Sequence, residues 1–200
     1  MNEKFFDLKK EKQDRIINAS LRAFALGGYM HASTDDIVRM AGISKGLIFH
    51  YFETKLGLYQ FIYDYSTRVV RIELGTGIPG DVTDFFVIRE NIEKVMTACM
   101  KQYPYIQLFL LKAENEDTPE AATAILPARE SHENVIRSIL DKSDITRFKD
   151  GANYEMFENI TRMTCEGILK KKFREGDFRA DDYLSEVVRH LEMLRELSYN

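Results

Sequence analysis

Two lysines, Lys45 and Lys55, bracket the run Gly46-Leu47-Ile48-Phe49-His50-Tyr51-Phe52, with Ser44 just ahead of it and Ser33 further back. Hydroxyl and ammonium groups around a row of rings suit noncovalent capture of an anion beside a flat, partly apolar surface. Nothing comparable points to covalent chemistry. The four histidines, His31, His50, His132 and His190, are scattered, and the chain has no HExxH and no paired cysteine ligands. Glu130, His132 and Glu133 fall close together on a stretch of helical spacing, where adjacent charged side chains form a solvated face. No catalytic residue, no metal site and no cofactor is expected.

Those groups need supports. Ile16, Ile17, Leu21 and Phe24 recur at helical spacing within residues 8 to 27, and the run ends at Gly27-Gly28, which predicts a first helix with a glycine stop. Ser33-Thr34-Asp35-Asp36 reads as the start of a short second helix over roughly 34–40, with Ser33 as its cap and Asp36 reaching back in a capping box. Ala41-Gly42-Ile43-Ser44 makes a tight turn in which Gly42 takes positive φ and Ser44 caps a third helix. On that helix Ile48 and Phe52, joined by Ile43, form the inward face. Gly46 and His50 point the opposite way, while Leu47, Phe49 and Tyr51 fall at the border.

The rest of the chain continues in helices. Leu58, Phe61, Ile62, Tyr65, Val69 and Ile72 predict a connector helix over 54–74, broken by Gly75, Gly77, Pro79 and Gly80. Further helices are expected over 85–103, from Pro104 to about 114, over 128–141, 152–175 and 181–198, with ENEDTPEAATAILP as a polar connection and SDITRFKDGAN as a loop. The fold class is therefore all-α with about nine helices. The chain divides at 53/54 into a three-helix N-terminal domain, 1–53, and a larger helical domain, 54–200.

Composition bounds the function. With 200 residues, 44% of them hydrophobic, the chain can bury one good core or two smaller ones. The formal charge of −4 excludes a generally basic surface, yet residues 1–60 carry nine Lys or Arg against seven Asp or Glu, so the acidic excess belongs to the remainder. The N-terminal stretch has no apolar run that could serve as a signal-peptide core, and no segment is long and apolar enough for a membrane span. A cytoplasmic protein that does not engage a membrane is expected. Cys99 and Cys165 sit in separate helical patterns and read as buried thiols.

A short helix, a turn of about four residues and a second helix opening with Ser, Lys and Gly is helix-turn-helix geometry, whose second helix can enter the major groove of double-stranded DNA. Gly46 permits close approach, Lys45 and Lys55 flank the helix as phosphate clamps, and the helix N-termini at Ser33, Ser44 and Thr54 add partial positive charge. The competing readings are an enzyme, which the motifs disfavour, and a helical protein-interaction module that has ceased to bind DNA.

The residues I-I-N-A-S-L-R-A-F at 16–24, G-Y at 28–29, D-D-I-V at 35–38, A-G-I-S-K-G at 41–46 and I-F-H-Y-F-x-x-K at 48–55 resemble the N-terminal domain of TetR-family transcriptional regulators. The resemblance covers about residues 10–58. It implies that Lys45, Gly46, Leu47, Phe49, His50 and Tyr51 face DNA, and that Ser33, Ser44 and Lys55 serve phosphates. Leu47 stands where the family often has Thr, and Phe49 where it usually has Tyr. Both offer only apolar contacts, which suit thymine methyl groups in A·T-containing steps.

The resemblance further implies a homodimer on a palindromic operator, acting as a repressor that a small apolar or amphipathic effector releases; an activator is the alternative. The last two helices supply the dimer stripe, Ile160, Met163, Thr164 and Ile168 with Leu184, Val187, Val188, Leu191 and Leu194, and Tyr183, Arg189 and His190 are placed near its rim. An effector pocket is assigned to Tyr63, Phe85, Phe86, Met96, Met100, Tyr103, Tyr105, Phe109 and Phe157. A Met and aromatic stripe of this kind also suits an ordinary core.

Overall fold

The computed structural model describes residues 3–199. Among them are nine α-helices: α1 Lys10–His31, α2 Thr34–Ala41, α3 Lys45–Phe52, α4 Lys55–Gly77, α5 Phe85–Gln102, α6 Ile106–Glu114, α7 Pro119–Leu140, α8 Tyr154–Glu175 and α9 Ala180–Ser198. The fold class is all-α, as the helical spacing predicts. Two 3-10 turns, Glu3–Asp7 and Ile145–Arg147, complete the regular structure among the described residues.

One expectation fails at α7. The stretch beginning ENEDTPEAATAILP was expected to be a polar connection, but its second half is helix, and α7 begins at Pro119. Proline at the first helical turn lacks only an amide that has no partner there, and its fixed φ suits the helix. Pro127 lies inside α7, and Ala121 and Ile125 bury the flanking turns. A proline inside a helix costs about 3 kcal/mol, on the order of the gain from burying an Ile side chain, about 1.5–3 kcal/mol. Reading both prolines as breakers hid two turns of helix. Pro104 misleads in the other direction, since α6 starts only at Ile106.

The chain forms two compact units, Met1–Val69 with Tyr103–Glu133, and Val70–Gln102 with Asn134–Asn200. The division falls inside α4 and α7, away from the sequence boundary at 53/54, because α6 returns to pack on α1. In the first unit α1 also packs on α2, and α2 on α3. Phe24, Tyr59 and Phe109 meet at ring-centroid distances of 5.0 to 6.1 Å in its core. Phe5, brought in by the first 3-10 turn, lies against Phe52 and Phe61 and closes the base of α3.

In the second unit α9 packs on α5 and α8. The buried Asp84 caps α5, its Oδ1 accepting from the amides of Phe86 and Val87. Its Oδ2 accepts from Arg147 at 2.6 Å and Arg195 at 2.8 Å, so one carboxylate ties the start of α5 to the second 3-10 turn and the end of α9. Cys99 and Cys165 are free, buried thiols in this unit.

Candidate nucleic-acid interface

The geometry of the candidate interface starts at two caps. Ser33 Oγ accepts from the amide of Asp36 at 3.3 Å, which is half of the expected capping box. The other half is absent: the Asp36 carboxylate instead takes Arg39, one turn on. Gly42 ends α2 at φ 63°, the left-handed conformation that the turn requires, and Ile43 N donates to Val38 O at 3.1 Å. Ser44 occupies the N-cap position of α3 in extended backbone but makes no side-chain cap bond there, so its hydroxyl stays at the exposed start of the helix.

Packing then orients α3. Ile48 and Phe52 are buried, with Ile37 and Ala41 of α2 also in the core, and they fix which face turns out. Lys45, Gly46, Phe49 and His50 are exposed, while Leu47 and Tyr51 are half-buried. Tyr51 leans on Phe5 at 5.9 Å and on His50 at 4.9 Å, so it belongs to both faces. A Cβ added at Gly46 meets nothing within 4 Å. Glycine costs a helix about 1 kcal/mol relative to alanine, and here the fold receives nothing in return.

The lysines differ. Lys45 Nζ lies 2.7 Å from Asp35 Oδ1, in an ion pair whose side chains are more than half exposed. Exposed pairs of this kind contribute roughly 0–1 kcal/mol, so Lys45 can leave Asp35 at little cost. Lys55 is half-buried. Its ammonium donates to Met30 O at 3.0 Å and sits 4.9 Å from the centroid of the Tyr29 ring. Burial pulls its pKa down, against the opposing pull of Glu116 and Glu120.

Glu116 organises that corner from the α6–α7 connection. Its Oε2 accepts from the Tyr29 amide at 3.0 Å, where α1 kinks at Gly28, and its Oε1 from the Thr118 amide at 3.0 Å. Burial alone would raise its pKa, but the bonds from Thr118 and Tyr29 outweigh it and hold the carboxyl below its usual range. Sequence reading passed over Glu116, whose long-range partners leave no local pattern.

It also missed a groove of about 500 Å³ beside the start of α2, lined by Arg22, Leu26, His31, Ser33, Arg39 and Met40 among others. Gly42-Ile43-Ser44-Lys45-Gly46 spells G-x-S-x-G, the lettering of a hydrolase nucleophile elbow. That elbow is a strand-to-helix turn, whereas here the turn follows α2.

The remaining assigned residues divide between the units. Tyr63 and Phe109 are buried 6.1 Å apart in the first, where Tyr103 Oη lies 2.7 Å from Tyr65 Oη and Tyr105 is half-buried near Arg22. Phe85 and Phe86 join Phe148 in the second, with Phe157 beside Phe148, and Met96 and Met100 are buried on α5. On α8 and α9, Ile168, Val187 and Leu191 are core residues, and Thr164, Leu184, Val188 and Leu194 are half-buried. Ile160 and Met163 are exposed, as are Met156, Met193 and Leu197. Tyr183, placed near a rim by the sequence, is instead completely buried, its hydroxyl donating to Glu93 at 2.6 Å.

Residues 16–61, which contain α2, α3 and their turn, match the model of bacterial regulatory proteins, tetR family. The chain is 38% identical over 91 residues to the uncharacterized HTH-type transcriptional regulator TtgW of Pseudomonas putida, over 46% of this chain and 62% of that one. It is 31% identical over 91 residues to the HTH-type transcriptional regulator SrpR of the same species, over 46% and 39% of the two chains. The match thus spans less than two thirds of the length of these relatives. A TetR family transcriptional regulator from Chloroflexus aurantiacus J-10-FL shares the fold with a TM-score of 0.69 at 19% identity, over 99% of this chain and 98% of that one. No helix among the described residues is long and apolar enough to cross a membrane.

Proposed function

Since the chain belongs to the TetR family through residues 16–61, we propose that it is a cytoplasmic, homodimeric, sequence-specific DNA-binding repressor whose operator is a palindrome. The observation that carries this reading is the outer face of α3. Lys45, Gly46, Phe49 and His50 stand exposed opposite Ile48 and Phe52, and the side chain missing at Gly46 serves no purpose inside the fold.

In this reading α3 lies in the major groove. Leu47 and Phe49 meet thymine methyl groups, His50 and Tyr51 meet base or sugar edges, and Lys45 exchanges Asp35 for a phosphate. Ser33 and Ser44 add phosphate contacts at the helix starts. Lys55 keeps one proton on Met30 O and has two more to offer, so it both fixes the corner and reaches the backbone.

Two copies are needed to read a palindrome. Exposed Met156, Ile160 and Met163 on α8, with Met193 and Leu197 on α9, form the apolar surface that supports pairing. A small apolar or amphipathic effector that favours the DNA-incompetent state would release the operator, and DNA would weaken effector binding by the same factor.

The test is fluorescence anisotropy of the full chain on DNA from upstream of its own gene across a salt series, beside Lys45→Ala. Tight, sequence-selective binding is expected, with a salt slope shallower by about one for the variant. Equal affinity for random DNA, together with an unchanged slope, would remove the operator reading.

A further inference from the structure

The polar stripe along α5 holds two groups that the fold leaves unsatisfied. Arg89, Glu93 and Thr97 follow one another at four-residue spacing, and all three are buried, with Arg89 5% exposed. Arg89 Nε has no hydrogen-bond partner, and neither has Thr97 Oγ1. Helix threonines and serines elsewhere in the chain satisfy themselves on the preceding turn: Ser66 donates to Ile62 O and Thr67 to Tyr63 O. Thr97 does not.

Of the neighbouring acids, Glu93 accepts the Tyr183 hydroxyl at 2.6 Å and lies one turn from Arg89 without reaching its Nε, and Asp84 is saturated by Arg147 and Arg195. Arginine does not deprotonate inside proteins, so burial leaves a guanidinium that favours an anion. The charge is felt across the unit: it opposes the rise that burial and then Glu93 impose on the Cys165 thiol of α8. Met96 and Met100 flank the stripe on α5 and offer adaptable apolar walls.

We propose that Arg89 anchors the anionic head of a small amphipathic ligand whose apolar body lies along α5 past Met96 and Met100 towards Thr97. Arg89 and Thr97 are eight residues apart, roughly 12 Å along the helix, which sets the scale of the ligand. This rests on the effector reading above and gives that effector its chemical class, a carboxylate or phosphate on an apolar body.

The experiment is calorimetric titration of the full chain with decanoate, decyl phosphate, decanol and decyltrimethylammonium below their aggregation concentrations, with operator release measured in parallel. Decanoate or decyl phosphate, whichever Arg89 prefers, is expected to bind at least tenfold tighter than decanol, and the cation more weakly still. Arg89→Met is expected to erase the preference for the anion over decanol and, in the absence of ligand, to melt no lower than the native chain. Arg89→Lys is expected to retain part of the preference.

Decanol binding as tightly as both anions, or an Arg89→Met chain that melts well below native, would make Arg89 an ordinary structural residue and overturn the proposal. Release of the operator by decanol as readily as by decanoate overturns the assignment of Arg89 and leaves effector control standing. Anion-selective, Arg89-dependent binding that does not alter operator affinity upholds Arg89 and overturns effector control. Binding of none of the four overturns both.

Discussion

A methyl group on Gly57 would sit 2.2 Å from the carbonyl oxygen of Phe52, whereas one on Gly46, at the other end of α3, would meet nothing within 4 Å. Both glycines lie in helices, where glycine is unfavourable. Gly57 is explained from within, because the α3–α4 corner turns so tightly that Thr54 N reaches Phe52 O at 2.6 Å and Gly57 N reaches Thr54 Oγ1 at 2.9 Å. Gly46 has no internal explanation. The same contrast separates Asp84, which is bonded on both oxygens, from Arg89, which lacks a partner at Nε. Open space alone does not mark a partner's place, since Gly75 of α4 and Gly167 of α8 also meet nothing within 4 Å; what sets Gly46 apart is its position beside the exposed Lys45, Phe49 and His50.

Gly57→Ala breaks the comparison on its structural side and should have the largest effect. The clash is with backbone and cannot be relieved by a side-chain rotation, so overpacking of about 2–3 kcal/mol is expected, read as a melting temperature lower by roughly 5–10 °C. A chain that melts like the native would show that the corner relaxes freely. Gly46→Ala probes the other side. Its melting temperature should hold or rise by a few degrees, since alanine is the better helix former by up to ~1 kcal/mol. Operator affinity should meanwhile fall about tenfold, or ~1.4 kcal/mol, because the new methyl group holds the helix off the groove. Unchanged affinity would place the DNA elsewhere than at the start of α3.

How far the sequence could reveal these differences depends on the range of the interactions. Helix α3, its buried Ile48 and Phe52 and the Gly42 turn were legible because spacing and cap chemistry are local. The extent of α7 was not, since whether Pro119 and Pro127 break a helix is decided by what Ala121 and Ile125 bury. The match of Gly42 to Gly46 with a nucleophile-elbow pattern shows the limit of lettering, which does not register whether a helix or a strand precedes the turn. Glu116, whose partners include Tyr29 and Tyr59, and the buried pair Glu93 and Tyr183 join residues far apart in the chain, where neither periodicity nor composition gives a signal. Lys55 was recognised by position, but its bond to Met30 O required the structure.

Asp84 has a counterpart at the surface that sharpens the comparison by its weakness. Glu186 of α9 also stands between two cations, Lys171 at 2.9 Å and Lys172 at 2.8 Å, but it is half-buried rather than buried, and of the two α8 lysines Lys171 is exposed and Lys172 half-buried. Hydrogen bonds from Lys172 and then Lys171 hold its pKa at about 2. A carboxyl depressed in the folded chain contributes stability that is fully present above the unfolded value of about 4.3, and this is lost as pH falls through the folded value. Solvent and salt limit that contribution to under about 1 kcal/mol. Glu186→Gln should therefore lower the melting temperature by no more than roughly 2–4 °C at neutral pH. The difference from native should close as pH falls from about 5 towards 2, and it should shrink in ~1 M salt, where the Debye length is about 3 Å. A deficit that survives at low pH and in high salt would mean that Glu186 acts by packing rather than by charge, as a residue closer in kind to Asp84.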